Sequence, residues 1–322
     1  MTMKLLFVAD PLESFKTYKD TTFSMMREAA RRGHVLWACH PADLVWQTGG
    51  KVTARGARRI VLTGREGDGH GGDWFSVEES GDLVLATVDA VLMRKDPPFD
   101  SEFFYATHLL GQAEREGARV FNKPAALRDH PEKLAIMEFS QFTSPTLVTR
   151  SDAAIRAFHA EHRDIILKPL DGMGGMGIFR VGPDGLNLGS IIETLNKGGA
   201  ETVMVQRYVP EIKDGDKRVL VIGGKPVPFC LARIPQGSEI RGNLAAGGKG
   251  VARPLTERDL EIAETLGPIL AARGLLLVGL DVIGDVLTEV NVTSPTCFQE
   301  ITDQTGFDVP KMFIDALEEA LR

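Results

Sequence analysis

The stretch KPLDGMGGMGIFRV, residues 168–181, decides which class of fold the sequence predicts. Its glycines lie between the β-branched run IILKPL and a second extended run, IFRV. Gly172, Gly174 and Gly177 match the dinucleotide pattern G-x-G-x-x-G. In that pattern the loop opens a helix whose N-terminus carries the pyrophosphate, but no helix signal follows here. The sequence also lacks G-x-x-x-x-G-K-[ST], so it argues against both a Rossmann domain and a Walker P-loop.

A loop that joins two antiparallel strands fits these residues better. Glycine N–H groups can approach phosphate oxygens closely, and a glycine loop can close over a ligand. The competing interpretation is a plain flexible hairpin loop. Lys168 favours the phosphate interpretation, because it interrupts an apolar strand and a buried ammonium needs an anionic partner. A strand lysine that extends its amine to solvent is the alternative.

A second group of polar residues stands in the late hairpin LLLVGLDVIGDVLTEVNV, residues 275–292. Glu289 and Asn291 are two positions apart and therefore share one face of a strand. With Asp281 they make an oxygen-only donor set, which Mg²⁺ prefers. A two-residue turn would pair Asp281 with residue 288 and turn Glu289 to the other face. The magnesium interpretation thus requires a β-bulge or a turn of odd length, and ordinary solvent-facing acids are the alternative.

Composition limits the function classes. The 322-residue chain carries a formal net charge of −7 and no basic block, which argues against a nucleic-acid partner. The N-terminal apolar run has about five residues, fewer than a signal peptide or a membrane span needs. Cys39, Cys230 and Cys297 are far apart and form no CxxC pair, so no disulfide framework or zinc site is indicated. A reducing, cytoplasmic setting is expected.

The first part of the chain alternates strand and helix patterns. Residues 4–10 predict a buried strand, residues 20–33 a helix, and residues 101–117 an amphipathic helix with a serine cap. The runs RRIVLTG, AVLMRKD and ARVFNKP predict further strands. This alternation predicts an open, largely parallel α/β sheet.

Later regions add hairpins to the strand–helix pattern. Residues 217–233 predict two strands around the turn Gly223-Gly224, and residues 275–292 predict a second hairpin. Hairpins beside βαβ units indicate α+β lobes. The predicted fold class is therefore α/β with several lobes, not one doubly wound sheet.

Six stretches together resemble the ATP-grasp superfamily and, more closely, the bacterial glutathione synthetases. They are MRKDPPFD (93–100), NKPAALRDHPEKL (122–134), ILKPLDGMGGMGIFRV (166–181), IKDGDKRVLVIGGKPVP (212–228), LARIPQGSEIRGNLAAGGKG (231–250) and VGLDVIGDVLTEVNVTSPT (278–296). Motifs this long and this numerous are far more specific than a lone glycine pattern.

The resemblance implies an ATP-grasp fold with three lobes. These are an N-terminal parallel α/β domain (1–124), a central lid domain (125–204) and a C-terminal catalytic domain (205–322), with ATP between the last two. Residues implied to bind ATP are Lys133, Lys168, Gly172, Gly174, Gly175, Gly177, Gln206, Arg207, Tyr208, Val209, Asp216 and Arg218.

The resemblance also implies a metal and a substrate site. Asp281, Glu289 and Asn291 would hold Mg²⁺, with Mn²⁺ as an alternative. Residues implied to contact substrate are Arg233, Arg241, Asn243, Thr293, Ser294 and Thr296, with the loop 234–249 as a cover. Lys168, Arg218 and Arg241 are the implied catalytic residues, because they would offset charge on the transferring phosphoryl group and on the tetrahedral intermediate.

The implied reaction joins γ-glutamylcysteine and glycine to glutathione, with ATP consumed through an acyl phosphate to ADP and phosphate. Small molecules are the expected partners, without nucleic acid or membrane, and the resemblance implies a homotetramer. Three alternatives stay open at this point: an ATP-grasp ligase for another acid and amine, a nucleotide-binding regulator without turnover, and an NAD-dependent dehydrogenase.

Overall fold

A computed structural model describes residues 2–64, 73–237, 239–244 and 247–322. Positions 238, 245 and 246 of the predicted cover loop lie outside the described residues. The described strands form three sheets, which follow one another along the chain and contain seven, four and five strands. None of the described helices is long and apolar enough to cross a membrane.

The first sheet is mixed. Its strands are β1 (Lys4–Val8), β2 (Val35–Cys39), β3 (Leu44–Val45), β4 (Thr53–Leu62), β5 (Phe75–Val84), β6 (Ala90–Met93) and β7 (Val120–Phe121). The four strands β2-β1-β6-β7 are parallel; β1, β6 and β7 were predicted, whereas β2 was not. Strand β4, however, pairs antiparallel with β2, β3 and β5. A largely parallel sheet was therefore predicted correctly for one half only, because the strand patterns do not give the direction in which β4 returns.

Helices α1 (Thr21–Arg31), α2 (Ser101–Arg115) and α3 (Pro124–Asp129) belong to this first part of the chain. The Asp20 side chain caps α1 by accepting a hydrogen bond from the Phe23 amide at 2.7 Å. The predicted serine cap of α2 was wrong. Asp100 caps that helix instead, accepting from the Phe103 amide at 2.9 Å, and Ser101 is its first helical residue. Either side chain suits an N-cap, so only the backbone geometry distinguishes them.

The second sheet is antiparallel, in the order β10-β9-β11-β8. Its strands are β8 (Thr146–Thr149), β9 (Ile165–Pro169), β10 (Phe179–Val181) and β11 (Val203–Arg207). Helices α4 (Asp152–His162) and α5 (Leu188–Asn196) contribute Ile155 and Ile192 to a small apolar core with Leu167 and Val205. Since β9 and β10 pair antiparallel, the glycine stretch is a hairpin loop and not the start of a helix.

The third sheet is antiparallel too, in the order β14-β13-β12-β15-β16. Its strands are β12 (Asp216–Ile222), β13 (Lys225–Ile234), β14 (Lys249–Pro254), β15 (Leu277–Ile283) and β16 (Val286–Asn291). Helices α6 (Glu257–Ala272), α7 (Phe298–Thr305) and α8 (Val309–Ala320) complete the chain. The predicted turn Gly223-Gly224 is confirmed. Both glycines have positive φ, +56° and +81°, as a two-residue hairpin turn requires.

The first and third sheets share their apolar core. Phe7 and Phe23 from the N-terminal part lie in one buried cluster with Phe298 and Phe313 from the C-terminal part. Each such side chain contributes roughly 1.5–3 kcal/mol when it leaves water. This shared core fixes the N-terminal lobe against the sheet that carries the acidic hairpin.

Candidate active site

One cavity of about 310 Å³ gathers almost every predicted site residue. Only Gly177 of the predicted set lies outside its lining. Residues from the glycine loop, from the end of β11, from β12 and from the β15–β16 hairpin meet there. Asp96 and Pro97 add a wall from the N-terminal lobe. The structure thus brings the predicted residues together, while their individual roles stay predictions.

Two buried lysines stand on one side of this cavity. Lys133 donates a hydrogen bond to the Gly172 carbonyl at 2.5 Å and pairs with Glu289 Oε1 at 3.1 Å. The Lys168 ammonium, on β9, has a long hydrogen bond of 3.4 Å to the Thr288 carbonyl. Burial lowers the pKa of Lys168, and the Glu289 carboxylate opposes this shift. An anion in the cavity would stabilise the charged form of Lys168, so its environment suits a phosphate.

The glycine loop meets the segment 239–244. Gly175 has φ of +84°, and a Cβ built on it would lie 2.7 Å from Asn243 Oδ1. Arg241 Nη1 donates to the Gly175 carbonyl at 3.3 Å, and Arg241 is itself held by Glu239 at 2.5 Å. Position 175 therefore needs glycine both for its backbone conformation and for its close approach to the second loop.

The segment predicted to be the hinge, residues 206–209, consists of the last two residues of β11 and the two residues after it. The Tyr208 amide donates to the Asp164 carbonyl at 2.9 Å, and the Arg180 guanidinium stacks on the Tyr208 ring at 3.7 Å from its centroid. Arg180 also grips the Asp164 carboxylate with two hydrogen bonds of 2.9 and 2.7 Å. The sequence did not single out Arg180, the middle residue of β10, or Asp164, which precedes β9, since one charged residue in or beside a short strand carries no specific signal.

The acidic hairpin contains the β-bulge that its metal interpretation required. Val282 pairs with Leu287, but Asp281 pairs with Glu289, so Thr288 is the extra residue. The bulge brings Glu289 opposite Asp281, and Asn291 follows on the same face opposite Gly279. All three predicted metal ligands line the cavity.

Two arginines hold Asp281 in place. Arg218 binds both of its carboxylate oxygens, at 2.6 and 3.1 Å, and Arg233 binds Oδ2 at 2.9 Å. Burial by itself would raise the pKa of Asp281, but the two guanidinium groups outweigh burial and hold it below the usual range. Asp281 is therefore a carboxylate near neutral pH.

For Asp216, burial outweighs the neighbouring positive charge. Its Oδ2 accepts from Arg233 at 2.5 Å, while its Oδ1 is buried without a hydrogen-bond partner among the described residues. Burial raises the pKa of Asp216 to about 6 against the opposing charge of Arg233. An unsatisfied buried oxygen at the cavity wall is a ready acceptor for a ligand hydroxyl or amine.

The donor set fits a hard divalent cation better than a softer one. Among the described residues, no three or more His, Cys, Asp or Glu side chains cluster closely enough to hold a metal. The predicted set instead combines two carboxylates with an amide, and Asn291 uses its amide nitrogen on the Gly279 carbonyl at 3.1 Å. Its amide oxygen is left as an acceptor, so the available ligands are all oxygens, as Mg²⁺ or Mn²⁺ prefers.

Comparisons with known proteins identify the family. A model of the prokaryotic glutathione synthetase ATP-grasp domain matches residues 132–306, and a model of the N-terminal domain of the same enzymes matches residues 3–128. The chain belongs to the prokaryotic glutathione synthetase family. The predicted family, the ATP-grasp fold class and the function of an ATP-dependent ligase that makes glutathione are therefore confirmed.

Relatives of this family match over nearly their whole length. The glutathione synthetase of Ralstonia nicotianae is 61% identical over 318 residues, which cover 99% of this chain and 96% of that protein. Those of Neisseria meningitidis serogroup A and Escherichia coli O127:H6 are 58% and 52% identical, with 98% and 99% of this chain and 99% of each relative covered.

Solved structures agree on the fold. D-cycloserine synthetase DcsG superposes with a TM-score of 0.67 at 16% identity, covering 99% of this chain and all of that one. The ATP-grasp ligase PsnB, complexed with a minimal precursor, gives 0.63 at 18% identity with both chains fully covered. At these sequence identities the structural similarity supports the ATP-grasp fold and nothing further.

Proposed function

We propose that the cavity is the ligase active site, with ATP held between the second and third sheets. The observation that carries this proposal is the bulge at Thr288, which puts Asp281 opposite Glu289, with Lys133 and Lys168 beside them. Carboxylates for a divalent cation and lysines for a triphosphate are the two halves of a phosphoryl-transfer site. The hinge 206–209 would meet the adenine through its backbone.

The metal residues are proposed to be Asp281, Glu289 and Asn291. A bound Mg²⁺ or Mn²⁺ would supply charge neutralisation and orientation for the phosphates. The chain keeps these oxygens in place without the cation, because Lys133 pairs with Glu289 and two arginines pair with Asp281. Magnesium is the proposed ion and manganese the alternative, because an all-oxygen donor set suits both.

The proposed chemistry activates the γ-glutamylcysteine carboxylate. One carboxylate oxygen attacks the γ-phosphorus of ATP and ADP leaves, so that an acyl phosphate forms. The glycine amine then attacks the acyl carbon, the amine loses a proton, and phosphate leaves with the electrons of the C–O bond. Lys168 and Arg218 would offset the charge on the transferring phosphoryl group, and Arg241 the charge on the tetrahedral intermediate.

The substrate end of the cavity is proposed at the segment after β16. Thr293, Ser294 and Thr296 line the cavity, as does Asp96 of the N-terminal lobe. Asn243, Arg233 and Arg241 line it from the third sheet and the neighbouring loop. The contact of Arg241 with the Gly175 carbonyl joins the two loops over the site. Closed loops would exclude water, which would otherwise hydrolyse the acyl phosphate.

The lobe boundaries at 124/125 and 204/205, a homotetramer and a cytoplasmic setting are proposals of the same kind. The three sheets support three lobes, but they do not support these exact boundaries, because 124/125 falls inside α3 and 204/205 inside β11 of the second sheet. The homotetramer rests on the family resemblance alone, and three buried free cysteines support the reducing setting. Burial raises the pKa of Cys39 to about 12, so its thiol is protonated and inert at neutral pH.

The substitution Glu289→Gln tests the metal assignment. It removes a charge from the donor set and leaves the shape, so we expect weaker Mg²⁺ activation and a large loss of kcat with an unchanged thermal midpoint. The control is Asp285→Asn, an exposed carboxylate at the tip of the same hairpin. Wild-type kcat and Mg²⁺ dependence in Glu289→Gln would overturn the proposal.

A further inference from the structure

Glu132 precedes the site lysine Lys133 and contacts the end of β16. One oxygen of its side chain, Oε1, accepts three hydrogen bonds, from the Val292 amide at 3.0 Å and from the amide and hydroxyl of Thr293 at 3.1 and 2.8 Å. Its own carbonyl accepts from the Val290 amide at 2.9 Å. Four hydrogen bonds thus tie one residue to the segment 290–293.

These bonds complete an otherwise open sheet edge. Strand β16 is the last strand of the third sheet, so alternate amides along it point away from β15. Val290 and Val292 are two such positions, and Glu132 accepts from both. Glu132 therefore supplies acceptors for two edge-strand amides, in the way that a neighbouring strand would.

The segment that Glu132 holds contains or adjoins three proposed site residues. Asn291 lies between the two anchored amides, Glu289 precedes them by one position, and Thr293 is bonded directly. A shift of this segment would move all three side chains relative to Asp281, because they share one continuous backbone. The next residue, Lys133, pairs with Glu289 and donates to the Gly172 carbonyl of the glycine loop. Residues 132 and 133 together therefore contact both the acidic hairpin and the glycine loop.

We infer that Glu132 is a positioning residue of the ligase, which fixes residues 289–293 so that their metal and substrate groups face the cavity. The inference rests on the proposed roles of Glu289 and Asn291. Oε1 already accepts three hydrogen bonds, so its lone pairs are used for the backbone and hydroxyl of the segment. We expect the reach of the side chain to matter more than its charge, because all three contacts are made by one oxygen, which glutamine also carries.

Two substitutions separate reach from charge. Glu132→Asp keeps the charge but is one methylene shorter, and Glu132→Gln keeps the length and the acceptor oxygen but loses the charge. Loss of an outer partner of metal ligands typically costs roughly ten- to hundredfold in metal affinity or activity, which is what we expect for Glu132→Asp. Glu132→Gln keeps an acceptor oxygen within reach of all three donors, so its loss should stay below the roughly tenfold lower bound expected for Glu132→Asp.

The experiment measures the binding of Mn²⁺ to the full chain in the presence of ADP, with electron paramagnetic resonance as the readout. It is run beside the Mg²⁺ dependence of kcat and thermal unfolding. Glu138→Asp is the matched control, since Glu138 lies in the 3₁₀ helix Leu134–Phe142, which begins two residues after Glu132, and its carboxylate pairs with Arg273. We expect this control to bind Mn²⁺ as the wild type does.

Each other outcome overturns the inference. Wild-type Mn²⁺ binding in Glu132→Asp, or a variant that does not fold, would assign these contacts to stability alone. Equal damage in Glu132→Gln would assign the effect to charge. Glu289→Gln, measured in parallel, keeps the two proposals apart. If Glu289→Gln binds Mn²⁺ as the wild type does, the metal assignment itself is wrong. If Glu289→Gln binds Mn²⁺ more weakly but Glu132→Asp binds it as the wild type does, only the role of Glu132 is wrong.

Discussion

The contact between the glycine loop and the segment 239–244 makes Gly175→Ala a sharp test of loop closure. Alanine at a φ of +84° costs roughly 1–2 kcal/mol, because its Cβ approaches the following carbonyl. Its Cβ would also lie 2.7 Å from Asn243 Oδ1, a distance that forces one loop to move. Because this cost falls on the docked arrangement of the loops, we expect kcat/KM to fall roughly 5- to 30-fold, at 1.36 kcal/mol per tenfold.

The assay measures ADP and glutathione separately over the same time course. Displaced loops should admit water, so we expect ADP to exceed glutathione in Gly175→Ala, whereas the wild type forms them in equal amounts. Gly198→Ala is the control, since Gly198 has φ of +66° but no heavy atom within 4 Å of the added Cβ. Equal effects of the two substitutions on kcat/KM and on the ADP-to-glutathione ratio would refute the argument from loop contact.

Three further predictions concern other parts of the chain. Arg180→Ala removes the stacking on Tyr208, and we expect a several-fold higher KM for ATP with kcat retained; steady-state kinetics showing an unchanged KM would contradict a role at the hinge. Asp281→Ala leaves the buried Arg218 guanidinium without a carboxylate, while Arg233 keeps Asp216, and should destabilise the fold by roughly 3–5 kcal/mol in urea unfolding, so a wild-type midpoint would disprove the pairing. Burial raises the pKa of Asp20 to about 6 from 3.8, so the folded chain binds the extra proton between these values and loses stability as pH rises through them. In Asp20→Asn this loss should disappear, and urea titrations at pH 4 and pH 7 that show the same pH dependence as wild type would count against it.

Local sequence patterns predicted most of the individual elements. The hairpin at Gly223-Gly224 needed only two residues that tolerate positive φ, and α1 needed only a capping aspartate and an apolar stripe. The glycine stretch after Lys168 was predicted as a hairpin loop because no helix signal follows it, and β9 and β10 confirm this. These features depend on neighbouring residues, and that is why a sequence alone determines them.

The sequence also determined the family and which residues meet at the cavity, since long ordered motifs carry both. Only the tertiary structure decided the register of the paired strands and which distant residues bond to one another. The bulge at Thr288, the antiparallel return of β4, and the hydrogen bonds of Glu132 all join residues distant in the chain or depend on an adjacent strand. A strand pattern repeats every two residues and fits several registers equally well, so packing against the rest of the molecule selects one.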